Sequence, residues 1–414
     1  MKNTFFIGFL AIMQIFWSCD TPSTHNQVSH HSNTSSVKAL SKKWHAILKI
    51  SPTESIPFVF EINNNNTVSL INGKEKIEGG TIDQHGDHFM IELPSFNSYF
   101  DLTKSGEMLK GKWVVRNKNG YFVDVEAKPY SGYRVFEKPE AKVNFDGLWN
   151  VHLNDKNNTH IVGKFSQVRN HVEGTFLSNT GDYRFLEGQV NADSMILSSF
   201  VGSHSYMVKA KIVDDSIFGQ FYSSKHYKVD FKGVKTDEIK MKDPYGMTYL
   251  TKKIDSLVVN LEDIKGKKTP VNFSQYHDEV VLIQIMGSWC ANCYDEALFF
   301  KELHEKYHSK GLRILGLSYE SSRSKEEAMK SLNKFISSNH IPYNIRYAGP
   351  AKKSTTSEQW NMFNKISSYP TSILLNKKGE VVQIHTGFNG PSTGDLYTNY
   401  TAKMTQTIES LLKE

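Results

Sequence analysis

"IMGSWCANCYDEA" (Ile285–Ala297) holds two of the three cysteines in a chain of 414 residues. The run before it, "EVVLIQIM" over 279–286, is largely apolar and suits a strand buried on both faces. The run after it places Ala297, Phe300, Leu303 and Tyr307 at helical spacing and stops at Gly311. The motif is therefore a strand-to-helix turn, with Cys290 at the helix N-terminus. There the macrodipole and the free backbone N–H groups favour a thiolate, and such sites lower a cysteine pKa from about 8.5 to between roughly 3.5 and 7.5. Cys293 lies one turn further in and is less exposed. This spacing makes Cys290 the attacking sulfur on a disulfide and Cys293 the resolving one.

The third cysteine, Cys19, follows Lys2 and a mostly apolar run from Phe5 to Trp17. A bilayer-spanning helix needs about 20 apolar residues, so the run suits the hydrophobic part of an export signal. Ser18-Cys19 resembles a bacterial lipobox. That implies a lipoprotein signal peptide over 1–19, lipidation at Cys19 and a folded part held outside the cytoplasm in a bacterial envelope. An ordinary signal peptide with an incidental cysteine is the alternative. Residues 20–40, rich in Ser, Thr, Asn and His, read as a flexible tether. Two thiols then remain in the folded part. Structural disulfides of exported proteins link distant segments, whereas a lone C-x-x-C closes a tiny loop and removes little unfolded-state entropy. The pair points to chemistry. The formal charge of +6 is mild and its basic residues are scattered, so no nucleic-acid partner is implied.

From about 42 to 235 the chain is a series of short alternating segments, such as "WHAILKI", "HFMIEL" and "YFVDVEA", separated by Asn/Gly/Asp/Ser clusters, the mark of antiparallel strands. The segments repeat. Trp44 corresponds to Trp149, "IEGGTI" (77–82) to "LEGQVN" (186–191), "KGKWVV" (110–115) to "FGQFYS" (218–223) and "YFVDVEA" (121–127) to "YKVDFKG" (227–233), at offsets of 105 to 109 residues. Two β repeats are expected, over 41–138 and 144–236, each a small antiparallel barrel or sandwich. The aromatic residues line a ligand cavity or simply fill the interior. From about 245 to the end, strands and helices alternate, including a short helix around "SEQWNMFNKI" (357–366), and imply an α/β sheet over 245–414.

Other uses of C-x-x-C fail on composition. Structural zinc wants four ligands, and there is no second cysteine pair. Covalent haem needs C-x-x-C-H, and position 294 is Tyr. His277, His304, His308 and His385 show no ligand or triad spacing and read as surface or satisfied-core histidines. No metal and no cofactor is expected.

From about 256 onward, "LVVNLEDIKGKKTPVNFSQYHDEVVLIQIMGSWCANCYDEALFFKEL", "RILGLSYE" and "ISSYPTSILLNKKGEVVQIHTGF" resemble the thioredoxin superfamily, specifically its membrane-tethered TlpA/ResA-like thiol–disulfide oxidoreductases. The resemblance implies that Trp289 packs beside the active site, that Glu296 is the glutamate recurring after the second cysteine, and that Pro370 is a cis-proline. Tyr369, Pro370 and Thr371 would then form the loop whose backbone pairs with an extended substrate strand. The extra strand–helix element between about 313 and 347 fits an insertion of this branch. Thioredoxin carries a buried aspartate six positions before its first cysteine; Gln284 stands there and cannot ionise. Glu296 is therefore the candidate for proton transfer, against a solvated carboxylate in a first helical turn. Peroxiredoxins resemble one another in P-x-x-x-T-x-x-C, but Ile283 and Gly287 occupy the proline and threonine places. The expectation is a multidomain chain, an all-β region of two tandem repeats followed by a C-terminal α/β thioredoxin-like domain. Its function would be reduction of disulfides in client proteins, recharged by a membrane thiol–electron donor. A β-region binding module with an accessory redox domain is the alternative.

Overall fold

The computed structural model describes residues 42–252, 257–262 and 268–414. The expected signal peptide, Cys19 and the tether over 20–40 lie outside the described residues. Eight antiparallel strands, from Lys42–Lys49 to Phe122–Pro129, close into a barrel through pairing of the first with the last. Alternation fills the interior. Trp44, Ala46 and Leu48 are buried inside, and the residues between them face outward. A second barrel of eight strands runs from Gly147–Leu153 to Tyr227–Thr236. Its His160–Val168 strand pairs with both Gly147–Leu153 and His171–Ser178. A two-residue strand, Gly181–Asp182, extends from the His171–Ser178 edge.

The duplication read from the sequence reappears in the packing. Trp44 and Trp149 are both buried. Gly111 opposes Leu102 and Gly219 opposes Ala210 in their respective ladders. A Cβ on Gly111 would come 1.9 Å from the Asp101 carbonyl oxygen, and one on Gly219 2.4 Å from that of Lys209. Backbones approach at the same place in each copy, so neither site admits a side chain.

The barrels share a core. Phe200, at the end of the Ser194–Phe200 strand of the second barrel, inserts among the aromatic side chains of the first. Its ring lies 4.5 Å from Phe58, 5.1 Å from Trp113 and 5.6 Å from Phe100. Asn72 fixes this plug, donating to the Phe200 carbonyl and accepting its N–H, both at 3.0 Å. The aromatic residues of the first barrel thus serve as filling.

The C-terminal domain is a five-stranded sheet in the order Asn344–Pro350, Leu312–Glu320, Val280–Met286, Thr371–Leu375, Val381–Thr386. The first three strands are parallel, and the last two run antiparallel to their neighbours. Val280–Met286 is central and buried at every position, as its largely apolar run suits. Among the described residues four helices accompany the sheet: α1 (Ala291–Tyr307), α2 (Lys325–Ser338), α3 (Lys353–Gln359) and α4 (Asp395–Leu411). Ala297, Phe300, Leu303 and Tyr307 of α1 are buried, and the chain leaves the helical region at Gly311 with φ 100°. Helix α2 starts where Ser324 accepts the Glu327 N–H. The short helix expected over 357–366 is displaced to α3, which ends before Trp360. Beyond that point the chain leaves the helix and buries Trp360, Met362, Phe363 and Ile366 together. The Trp360 indole N–H donates to the Tyr319 hydroxyl at 2.8 Å. Among the described residues no helix is long and apolar enough to cross a membrane.

Candidate active site

The central strand delivers the cysteine pair through a tight turn. The Cys290 N–H donates to the Gly287 carbonyl at 3.0 Å. A Cβ at Gly287 would meet the Trp289 indole nitrogen at 2.4 Å and the Tyr319 carbonyl oxygen at 2.7 Å, so the threonine of a peroxide-binding motif has no room here. Buried Glu320 braces the same turn, accepting the Ser288 N–H at 2.9 Å and its hydroxyl at 2.6 Å. Cys290 is the N-cap of α1, and its sulfur accepts the Cys293 N–H at 3.3 Å. Both cysteines are free thiols, Cys290 8% exposed and Cys293 0%. Burial pushes the Cys293 thiol well above its ordinary range, and its hydrogen bond with the Cys290 sulfur adds to the rise.

The Tyr369–Pro370 peptide bond is cis. It brings the Tyr369 carbonyl oxygen 3.5 Å from the Cys290 sulfur. Trp289 stands edge-on to the Tyr369 ring at 5.8 Å, and its indole N–H donates to the Tyr319 carbonyl at 2.9 Å. Buried Thr371 turns its hydroxyl back onto the Ser368 carbonyl at 2.8 Å. Trp289, Cys290, Tyr369 and Pro370 thus converge on one sulfur, and Thr371 braces the loop from behind.

Glu296 is 0% exposed, which overturns the solvated-carboxylate alternative. Helix α1 turns this face onto the sheet, beneath Cys293. Gln284 Nε2 donates to Glu296 Oε2 at 2.9 Å and to the Cys293 carbonyl at 3.2 Å. Burial lifts the Glu296 carboxyl to about 8, against the opposing pull of Gln284 and the Ser372 and Tyr400 hydroxyls. Its Oε1 atom nonetheless lacks a well-aligned hydrogen bond. The carboxyl therefore holds its proton to neutral pH beside a sulfur whose own titration it affects.

The four histidines stand apart from this site. His304 and His308 stack at 4.3 Å on the outer end of α1, and His277 lies in the turn before the central strand. His385 is a core histidine 4.4 Å from the Tyr400 ring, and burial lowers its pKa to about 4 against a hydrogen bond with the Gly387 backbone. Among the described residues no cluster could hold a metal ion.

Sequence reasoning missed the residues that reach the cysteines from the barrels. Arg184 of the second barrel is buried and donates to the carbonyl of Ala291, between the two cysteines, at 3.1 Å. It pairs with Asp295 of α1 and with Glu75 of the first barrel. Burial works against its charge, but Asp295, Glu75 and Asp182 outweigh that and hold the guanidinium above its ordinary range. No periodicity could reveal a contact across 107 residues of chain.

The Redoxin family matches residues 250–399. The chain is 26% identical over 175 residues to the thiol–disulfide oxidoreductase ResA of Bacillus thuringiensis, covering 42% of this chain and 86% of that one. It is 27% identical over 143 residues to the ResA of Bacillus cereus, covering 34% and 72%. A secreted thiol–disulfide isomerase from Corynebacterium glutamicum is 19% identical in its crystal structure, over 43% of this chain and 99% of that one, with a TM-score of 0.31. With the cysteine pair, the cis-proline loop and the sheet order described above, the Redoxin and ResA matches support a ResA-like thiol–disulfide oxidoreductase domain of the thioredoxin superfamily at the C-terminus.

Proposed function

We propose that this protein is an exported, lipid-anchored disulfide reductase of client proteins, working through a dithiol–disulfide cycle of Cys290 and Cys293. The observation that carries this reading is the asymmetry of the two sulfurs. Cys290 sits at the open end of α1 beside the Tyr369 carbonyl, while Cys293 is sealed beneath it and held protonated by burial. The Cys290 thiolate attacks one sulfur of a client disulfide, and the other client sulfur leaves as a thiolate and takes up a proton. Cys293 then gives up its proton and attacks the Cys290 sulfur. The second client sulfur leaves, two electrons have passed to the client, and the 290–293 disulfide is formed. Glu296, buried beside Cys293, is the candidate to take that proton, and it can do so only once its own carboxyl has ionised, near pH 8. Tyr369, Pro370 and Thr371 supply the loop on which a client strand would pair, with Trp289 as its side wall.

Reduction, rather than oxidation, is the direction that the resemblance to the TlpA/ResA-like branch implies. A membrane-bound thiol–electron donor would return the disulfide to the dithiol. Anchoring would rest on lipidation of Cys19, with the described domains in the envelope. The filled first barrel and the contacts of both barrels with the redox domain support a positioning role for the β region over an independent ligand-binding one.

The purified chain should turn over a small disulfide with dithiothreitol as reductant. In cells the Cys19→Ser variant should move from the membrane pellet to the soluble fraction. Absence of turnover would remove the redox reading, and an unchanged fractionation would remove the anchor.

A further inference from the structure

The Asn179–Arg184 segment of the second barrel lies across the face that presents Cys290. Gly181 makes an isolated parallel bridge to Phe388, in the loop whose Gly387 N–H donates to the Pro370 carbonyl at 2.8 Å. The approach is close on both sides. A Cβ on Gly387 would come 2.5 Å from the Thr180 carbonyl oxygen, and one on Gly181 1.9 Å from Nδ2 of Asn292, between the two cysteines. Gly181 also has φ +140°, a conformation that L side chains rarely adopt.

The segment is tied down at both ends. Asp182 accepts the Gly390 N–H at 2.7 Å and the Ser392 hydroxyl, and it also accepts the Arg184 N–H at 2.9 Å. Arg184 holds the Ala291 carbonyl and pairs with Asp295 and Glu75. Its guanidinium lies 5.5 Å from the centre of the Tyr294 ring. Phe96 of the first barrel packs on the same ring at 5.9 Å. As a result Cys290, Ala291 and Tyr294 are all buried.

We infer that the Asn179–Arg184 segment is an internal strap over the client groove, and that it decides which disulfides reach Cys290. This rests on the reductase reading above. A client strand pairing beside Tyr369 needs the space next to Pro370 and Asn292 that Thr180 and Gly181 occupy. A small disulfide needs far less of it. The strap therefore admits small disulfides and holds off protein disulfides until Asp182 and Arg184 release it. Arg184 acts through the strap as a specificity residue. Taking one partner from a buried ion-pair cluster leaves uncompensated charge behind, so Arg184→Gln should favour the open arrangement.

The test uses the full chain. Rates of insulin reduction and of hydroxyethyl disulfide reduction would be measured for wild type, Arg184→Gln and Asp182→Ala. Alkylation of Cys290 would be measured with iodoacetamide and with a maleimide carried on polyethylene glycol. Asp182 touches neither cysteine, and its variant serves if Arg184→Gln does not fold. In both variants insulin reduction and bulky alkylation should rise about tenfold or more as the open population grows. In Asp182→Ala the small-disulfide rate should stay within about threefold of wild type. If folded Asp182→Ala shows the wild-type ratio of insulin to small-disulfide rate and the wild-type ratio of bulky to small alkylation, the strap does not control access. A wild-type chain inert toward both disulfides would instead overturn the reductase reading, and the alkylation ratios would still test the strap.

Discussion

The Cys290→Ser variant should lose disulfide reduction by on the order of a thousandfold or more, because no second thiol can take over the attack. Cys293 is the only other cysteine among the described residues. It is sealed from solvent, and burial keeps it protonated. The Cys293→Ser variant should fail differently. Its Cys290 still meets a client disulfide beside the Tyr369 carbonyl, but nothing resolves the product, so mixed disulfides through Cys290 should accumulate to near stoichiometry. Non-reducing gels and mass spectrometry of the trapped species separate the two outcomes. Equal residual activity in both variants, or trapping through Cys293 in the Cys290→Ser chain, would contradict the assigned roles.

The second large effect concerns Glu296. Its carboxyl titrates near 4.5 when free of the fold and near 8 within it, because burial disfavours the charge. Between those values the unfolded chain has released a proton that the folded chain keeps. Stability should therefore fall as pH rises through that window and level off above about 8. The loss is on the order of several kcal/mol, at about 1.4 kcal/mol per pKa unit. Glu296→Gln keeps the shape and an acceptor for Gln284 but carries no charge at any pH. The variant should match wild type near pH 4.5 and unfold at clearly higher denaturant concentration at pH 9. Its reduction rate should also lose the pH dependence centred near 8. Parallel stability curves for the two chains across this range, with parallel rate profiles, would refute both the buried charge and the proton-transfer role.

Much of this architecture is written locally. The largely apolar run at Val280–Met286, the helical spacing from Ala297 to Tyr307 and the "SYPTS" loop each declare themselves within a dozen residues. The same is true of the duplicated segments, which the matching glycines Gly111 and Gly219 reproduce in space. What stayed hidden was set by distant chain. Glu296 sits in a first helical turn, where its position leaves proton transfer and a solvated carboxylate both open, and the sheet and Tyr343 and Tyr400 from later elements enclose it. Barrel closure depends on pairing between the first strand and the last, which alternation alone leaves undecided between barrel and sandwich. The Phe200 plug and the Arg184–Asp295 pair depend on how whole domains meet, and no local pattern encodes that. The short helix near Trp360 was misplaced because its apolar spacing fits a helix, while the buried cluster around it demands a turn.

The account turns on a reversible two-electron couple between Cys290 and Cys293 that is poised to give electrons away. Equilibrating the full chain against defined dithiothreitol mixtures, then trapping and weighing the thiols, measures it directly. The expected result is one two-electron transition, with Cys290 and Cys293 oxidised together at a potential near the thioredoxin value of about −270 mV. A potential near about −120 mV, or the absence of a 290–293 disulfide at any poise, would contradict it.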